Sequence, residues 1–294
     1  MPESHRSQIH TGSGSRCRKE EMNENKYPLV TYHRDPRFLT LRSLQTPQNR
    51  SRTGLCIIEG IRHVARAVEH NAPIESVFLE PSVLSNLFGR KLARRLRKRG
   101  VPGIRLSHQL YLDLTLATEP QGIGAILRQK WTSLDEVRAR PNSLWLAVES
   151  IESPGNLGTI IRTAEAAGAS GVFVLSPDCD PYDPATVRAT MGSLFSQMLV
   201  KCSPSEFTCW AKSNGVAIVA SSPAGLMDYK ALHYRFPSVL VIGSEKRGLS
   251  DQLLEAADFV VRIPMHGECD SINAAVASGV LLFEMASQRV IESL

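Results

Sequence analysis

No two of the six cysteines, Cys17, Cys56, Cys179, Cys202, Cys209 and Cys269, fall in a CxxC pair. That excludes a zinc ribbon and a thioredoxin-type redox site and leaves ordinary reduced thiols. The eight histidines are scattered, with no HExxH pattern and no carboxylate cluster, so no metal is expected. No apolar run approaches the ~18 residues that span a bilayer, and the first 30 residues lack the apolar core of a signal peptide. A cytoplasmic protein without membrane contact is expected. Internal repeats are not apparent. No GxGxxG occurs, and the GxG at Gly122 and Gly124 lies inside a strand pattern, where a dinucleotide fingerprint does not belong, so a nucleotide-dependent oxidoreductase lacks its signature.

With 294 residues and 43% hydrophobic content, the chain can bury two cores. Its net charge of +5 conceals an asymmetry. Residues 1–140 carry 24 Lys and Arg against 13 Asp and Glu, a net of +11, and residues 141–294 carry 10 against 16, a net of −6. Residues 90–99 hold seven of the positive charges, Arg90, Lys91, Arg94, Arg95, Arg97, Lys98 and Arg99, around Leu92 and Leu96. The two leucines at i, i+4 can anchor one edge of a helix. The cations then form either a solvated face or a phosphate-binding one, and we read the segment as RNA-binding.

Residues 1–26 read as a flexible basic tail, and residues 27–130 as a compact α/β unit. Its expected elements are helices near 38–44, 61–70 and 85–99 and strands at 55–58, 76–79 and 123–127. Residues 131–142 read as a linker. Residues 143–294 offer buried strands at 144–148, 172–175, 216–220, 239–242 and 259–263 separated by helical stretches, so a mostly parallel sheet covered on both faces is expected.

Three segments carry chemistry. In residues 149–162 (Glu-Ser-Ile-Glu-Ser-Pro-Gly-Asn-Leu-Gly-Thr-Ile-Ile-Arg) a strand ends, turns on Pro154 and Gly155, and starts a helix. Leu157, Ile160, Ile161 and Ala164 can face a core there, while Gly158 and Arg162 point elsewhere. Arg162 is thus available to a ligand, or pairs with Glu165 at the surface; Asn156 can bond a substrate or cap the helix. Residues 239–249 run a buried strand into a turn bounded by Gly243 and Gly248 that contains Glu245. Residues 261–273 place Ser271 and Asn273 near the N-terminus of a small-residue helix, where free N–H groups favour anions.

In this order the three segments resemble the signature motifs of the SpoU family, also called TrmH-like, of SPOUT-class RNA ribose 2′-O-methyltransferases. Residues 181–196 look like that family's segment between the first two motifs. Residues 56–68 and 119–127 look like the small substrate-binding domain of its ribosomal-RNA members. The resemblance implies S-adenosyl-L-methionine as cofactor, a C-terminal trefoil knot, and a homodimer whose active site is shared across the interface. It assigns catalysis to Arg162, Asn156, Glu245, Ser271 and Asn273, with Glu245 orienting Arg162 or a residue of the partner subunit. It assigns the adenosine pocket to Gly243, Ile263, Met265 and Ile272, together with Ser271. Ser244 and Lys246 stand where many members have Asn and Gly, and Ile272 where Leu is usual; none of the three removes a side chain assigned to chemistry.

The expected activity is therefore 2′-O-methylation of RNA, with ribosomal RNA favoured because a basic recognition unit suits a folded polyanion. A transfer-RNA methyltransferase and a non-catalytic RNA-binding or ribosome-assembly factor are the alternatives.

Overall fold

A computed structural model describes residues 27–289. The basic tail expected over residues 1–26 lies outside them.

In chain order the first unit comprises β1 (Leu29–Val30), α1 (Pro36–Ser43), α2 (Pro47–Thr53), β2 (Leu55–Glu59), α3 (Ile61–Glu69), β3 (Ile74–Leu79), α4 (Leu87–Lys98), β4 (Gly103–Leu106), α5 (His108–Leu114) and β5 (Ile123–Arg128). Its five-stranded sheet has the order β1-β4-β3-β5-β2, with β5 antiparallel to both neighbours. Every helix and strand expected here is present. In addition there are α2, α5, β1 and β4. Helix α2 (Pro-Gln-Asn-Arg-Ser-Arg-Thr) has no apolar periodicity, because the one side chain it buries is Arg50.

A short 3-10 turn, Leu134–Glu136, leads into the second unit. The connecting segment is packed. The Thr132 N–H donates to the Leu199 carbonyl at 2.8 Å, and Val137 is buried beneath Trp210, whose indole N–H donates to the Val137 carbonyl.

The second unit comprises β6 (Leu144–Val148), α6 (Pro154–Ala166), β7 (Val172–Val174), α7 (Pro184–Ala189), β8 (Leu199–Lys201), α8 (Pro204–Ser213), β9 (Ala217–Ser221), β10 (Met227–Asp228), β11 (Ser238–Ile242), α9 (Asp251–Ala256), β12 (Phe259–Arg262) and α10 (Ala274–Gln288). All seven strands run parallel in the order β10-β12-β9-β11-β6-β7-β8. The five strands anticipated are present, and the short β8 and β10 extend the edges. The alternation in β6 divides the interior. Leu144, Leu146 and Val148 pack with Leu157, Ile160, Ile161 and Leu282 on one face, and Trp145 and Ala147 with Phe173, Phe207 and Trp210 on the other. A sheet buried on both faces explains why its strands read as unbroken apolar runs.

The units are joined through buried contacts. Arg50 of α2 is enclosed and reaches Asp180 and Asp183 of the second unit. The Tyr182 hydroxyl bonds both the carbonyl and the N–H of Lys130. Among the described residues no helix is long and apolar enough to cross a membrane, and no cluster of His, Cys, Asp or Glu has metal-site geometry.

Candidate active site

Strands β6 and β11 are neighbours, in parallel register from Ser238 beside Leu144 to Ile242 beside Val148. Both therefore end at the same height, and the turns that follow lie side by side at the carboxyl edge of the sheet, where open α/β sheets place ligands. The turns are also tied together. Glu149, at the end of β6, donates its N–H to the Ile242 carbonyl at 2.9 Å and accepts the Ser250 N–H on its carboxylate at 2.8 Å.

After β6, Ser153 caps α6 by accepting the Asn156 N–H at 3.4 Å, and Pro154 takes the first helical position. The cap is Ser153, so the Asn156 amide is freed for other work. Its Nδ2 donates to the Glu245 carboxylate, and its Oδ1 accepts from Asn273 Nδ2 at 3.2 Å. Asn273 in turn caps α10, its Oδ1 accepting the N–H groups of Ala275 (2.9 Å) and Val276 (3.4 Å). One chain of side-chain hydrogen bonds thus joins the three segments, with Asn156 reaching partners 89 and 117 residues away.

The turn after β11 closes on itself. Ser244 and Gly248 exchange backbone hydrogen bonds, and the Ser244 hydroxyl accepts from the N–H groups of Lys246 and Arg247, both at 3.2 Å. Gly243 is required, since a Cβ there would sit 2.4 Å from the carbonyl carbon and oxygen of Gly248. Lys246 bridges to Glu152 at 3.0 Å. Its hydrogen bond and charge, with Arg247 adding a smaller part, hold the Glu152 carboxyl below its ordinary pKa.

Beside this turn opens a cavity of about 410 Å3, in the range of small-molecule sites. Gly243, Ile263, Met265 and Ile272, the four residues expected around an adenosine, all line it, as do Ser271 and Glu245. Ser271 is exposed, its hydroxyl donating to Asp270 at 3.3 Å. The apolar walls and the backbone edges at the β11 and β12 ends suit a flat heterocycle such as adenine, and the charged lining is mixed, with Glu245 and Asp270 beside Lys246 and Arg247.

Arg162 lies apart. It is exposed on α6, makes no hydrogen bond or ion pair among the described residues, and is not part of the cavity wall. Glu165 bonds Ser196 and leaves Arg162 alone. Within the described residues Glu245 accepts from Asn156 and does not meet Arg162, which is six residues further along the helix and faces another way. Sequence reasoning missed Ser153, Glu152 and the cap-like role of Ser244; an Ser-Pro pair before a helical pattern was the available signal for the first.

The basic residues form α4, capped by Asn86, with Leu92 and Leu96 buried as the pattern requires. The cations divide into two rows. Arg90 donates to the Leu84 carbonyl at 2.8 Å and with Arg94 and Arg97 borders a cleft beside Tyr27, whereas Lys91, Arg95 and Lys98 are exposed to solvent.

The model of the SpoU rRNA methylase family matches residues 143–283, and that of the MRM3-like substrate binding domain matches residues 35–125. A 23S rRNA (uridine(2479)-2′-O)-methyltransferase of Streptomyces viridochromogenes is 32% identical over 265 residues, 87% of this chain and 91% of that one. The 23S rRNA (guanosine(2553)-2′-O)-methyltransferase RlmP of Bacillus subtilis is 26% identical over 83% of this chain and 93% of its own length. Among solved structures, the AdoMet-bound rRNA methyltransferase from Sinorhizobium meliloti aligns with a TM-score of 0.81 at 32% identity, over 90% of this chain and 99% of the other. With such identity extending through both units, the protein belongs to the SpoU rRNA methylase family.

Proposed function

We propose that the protein is an S-adenosylmethionine-dependent 2′-O-methyltransferase acting on a ribose of ribosomal RNA. The observation that carries this reading is the hydrogen-bonded chain Glu245–Asn156–Asn273 at the rim of the cavity lined by Gly243, Ile263, Met265 and Ile272. When bound, the cofactor supplies an electrophilic methyl group. The residues around it then have to hold a ribose hydroxyl in line and favour loss of its proton.

Asn156, fixed from both sides by Glu245 and Asn273, is positioned to orient the ribose; Ser271 adds a hydroxyl at the cavity wall. The Arg162 guanidinium offers donors and no acceptor, so its role is to stabilise negative charge developing on the ribose oxygen and to hold phosphate. Because Arg162 is absent from the cavity wall of its own chain, it serves the site of a second copy in a homodimer. Support for the dimer comes from α10, where Val276 and Phe283, two helical turns apart, form an exposed apolar row, with 55% and 53% of their surfaces accessible. Such a row on a helix is covered in a stable assembly.

On this reading residues 143–294 are the knotted catalytic domain, 27–130 the RNA-binding domain and 131–142 the connection between them. The cytoplasm, which holds the ribosomal RNA, is the site of action. Arg90, Lys91, Arg94, Arg95, Arg97 and Lys98 contribute positive potential toward the RNA, with Lys91, Arg95 and Lys98 presented outward.

The test is transfer of labelled methyl from S-adenosylmethionine to purified ribosomal RNA and, separately, transfer RNA, followed by nuclease digestion. A labelled 2′-O-methylnucleoside from ribosomal RNA is expected. Label confined to transfer RNA would replace the substrate, and cofactor binding without transfer to either pool, or to assembled subunits, would overturn the enzymatic reading.

A further inference from the structure

A second cavity, of about 280 Å3, lies between the two units. The first unit contributes Ile57, Phe78 and Leu114, with Glu59, His63 and Gln121; the second contributes Val187 and Arg188 of α7. Its mouth is flanked by a reciprocal clasp. Arg62 of the first unit donates from Nε to the Met191 carbonyl of the second at 3.0 Å, and Arg188 of the second donates from Nη1 to the Leu116 carbonyl of the first. Each guanidinium uses one N–H in this way, and both are exposed, so donors remain at the mouth for an anion.

Inside, the polar groups are partly spoken for. Glu59 accepts from the hydroxyls of Tyr111 and Thr115, and the Gln121 side-chain carbonyl accepts the Ile61 N–H at 2.7 Å. The Gln121 amide nitrogen has no such bond, and His63, only 7% exposed, leaves its Nε2 buried with no partner. A buried polar atom without a partner is costly, and its ordinary resolution is a ligand or water that completes it. Burial pushes the His63 pKa down, and the backbone at Arg188 and Glu59 opposes that shift.

A shallow groove runs out of this cavity, sharing Arg62 and Gln121 with it, and ends at Phe88, a ring left 56% exposed at the start of the basic helix α4. Apolar walls with a few unpaired donors and acceptors, two guanidiniums at the mouth and an exposed aromatic beside a cationic helix are the elements that receive unpaired RNA. The site is also close to the chemistry in the fold. Helix α7, which carries Val187 and Arg188, packs on α6 at Gly158, where a Cβ would come within 2.4 Å of the Thr186 carbonyl oxygen. A single helix therefore separates the cavity from the one bearing Asn156 and Arg162.

We propose that the cavity between the units is a second nucleotide subsite: it takes one unstacked base of the RNA substrate, with Arg62 and Arg188 on the flanking phosphates and Phe88 stacking a neighbouring base. The proposal deepens the RNA methyltransferase reading and rests on its choice of RNA as substrate.

Ala117→Trp puts a ring at the cavity wall from a half-buried loop without touching a charge, and Phe88→Ala removes the platform. Binding of labelled ribosomal RNA fragments is measured directly, with S-adenosylmethionine affinity and melting temperature recorded for each variant. Each variant is expected to weaken RNA binding roughly tenfold, as the loss of one stacked base does, with cofactor affinity and melting temperature unchanged. RNA affinity equal to wild type in the correctly folded Ala117→Trp protein would overturn the subsite. Absence of methyl transfer by the wild type, with RNA binding still sensitive to both variants, would instead defeat the catalytic reading and leave the subsite standing.

Discussion

Replacing Arg50 with methionine removes the cation at the buried seam between the two units. Its guanidinium donates to Asp180 from Nε (2.9 Å) and Nη2 (2.7 Å), to Asp183 from Nη2 (2.8 Å), and to the carbonyls of Leu44 (3.1 Å) and Gln45 (2.9 Å) from Nη1. Removing one partner of a buried ion pair costs about 3–5 kcal/mol when the remaining charge is left without water. Here the Arg50 side chain is 1% exposed but Asp180 and Asp183 keep 28% and 24%, so the abandoned carboxylates are rehydrated. Methionine also fills the space of the aliphatic stem. The lower end of the range, about 3 kcal/mol, is therefore expected, with the two stranded carbonyls as its main source. At about 2–4 °C per kcal/mol for a protein of this size, the melting temperature should fall by roughly 6–12 °C. Differential scanning calorimetry should show this fall, with the single transition of the wild type splitting as the units lose their coupling. Arg50→Lys, which keeps the charge but has no fork to reach all four acceptors, should fall between the two. An Arg50→Met protein melting within roughly a degree of wild type would refute the assignment of the seam's stability to this residue.

Arg162→Ala should abolish methyl transfer with cofactor affinity unchanged, as read by calorimetric titration; normal turnover would remove Arg162 from the mechanism. Glu245→Gln keeps the shape but replaces a charge-assisted bond to Asn156 by a neutral one. Turnover should drop by about ten- to a hundredfold, matching a loss of roughly 1.5–3 kcal/mol, and a wild-type rate would show that Asn156 needs no such anchor. Gly243→Ala cannot be accommodated beside Gly248, so it should eliminate cofactor binding while the first unit stays folded by circular dichroism. Burial pushes the Cys56 thiol up to about 12 and that of Cys179 up to about 11, so in native protein alkylation at pH 8 should mark Cys209 and Cys269 and spare those two, as mapped by mass spectrometry. The sign for stability follows from the same shift. Unfolded thiols ionise from about pH 9, so the contribution of these groups is whole below that pH and is lost as pH rises toward the folded values.

The sequence alone determined five of the seven strands of the second unit, because burial on both faces writes each of those five as a continuous apolar run. It also determined α4, because Leu92 and Leu96 leave a helical signature among the cations, and the identity of the three motif segments, because Gly, Pro and polar residues at a strand end mark a turn in linear order. What it left undetermined were elements held by long-range polar contacts. Helix α2 shows no periodicity since it buries a guanidinium rather than a leucine, and that guanidinium is satisfied by aspartates 130 and 133 residues away. The partner of Glu245 was equally hidden. Only the parallel register of β6 and β11, which ends both strands at one level, brings it to Asn156 rather than to Arg162. The cavity between the units, with the His63 Nε2 unpartnered inside it, has no linear signature at all, because its walls come from two units and its polar balance exists only once they meet.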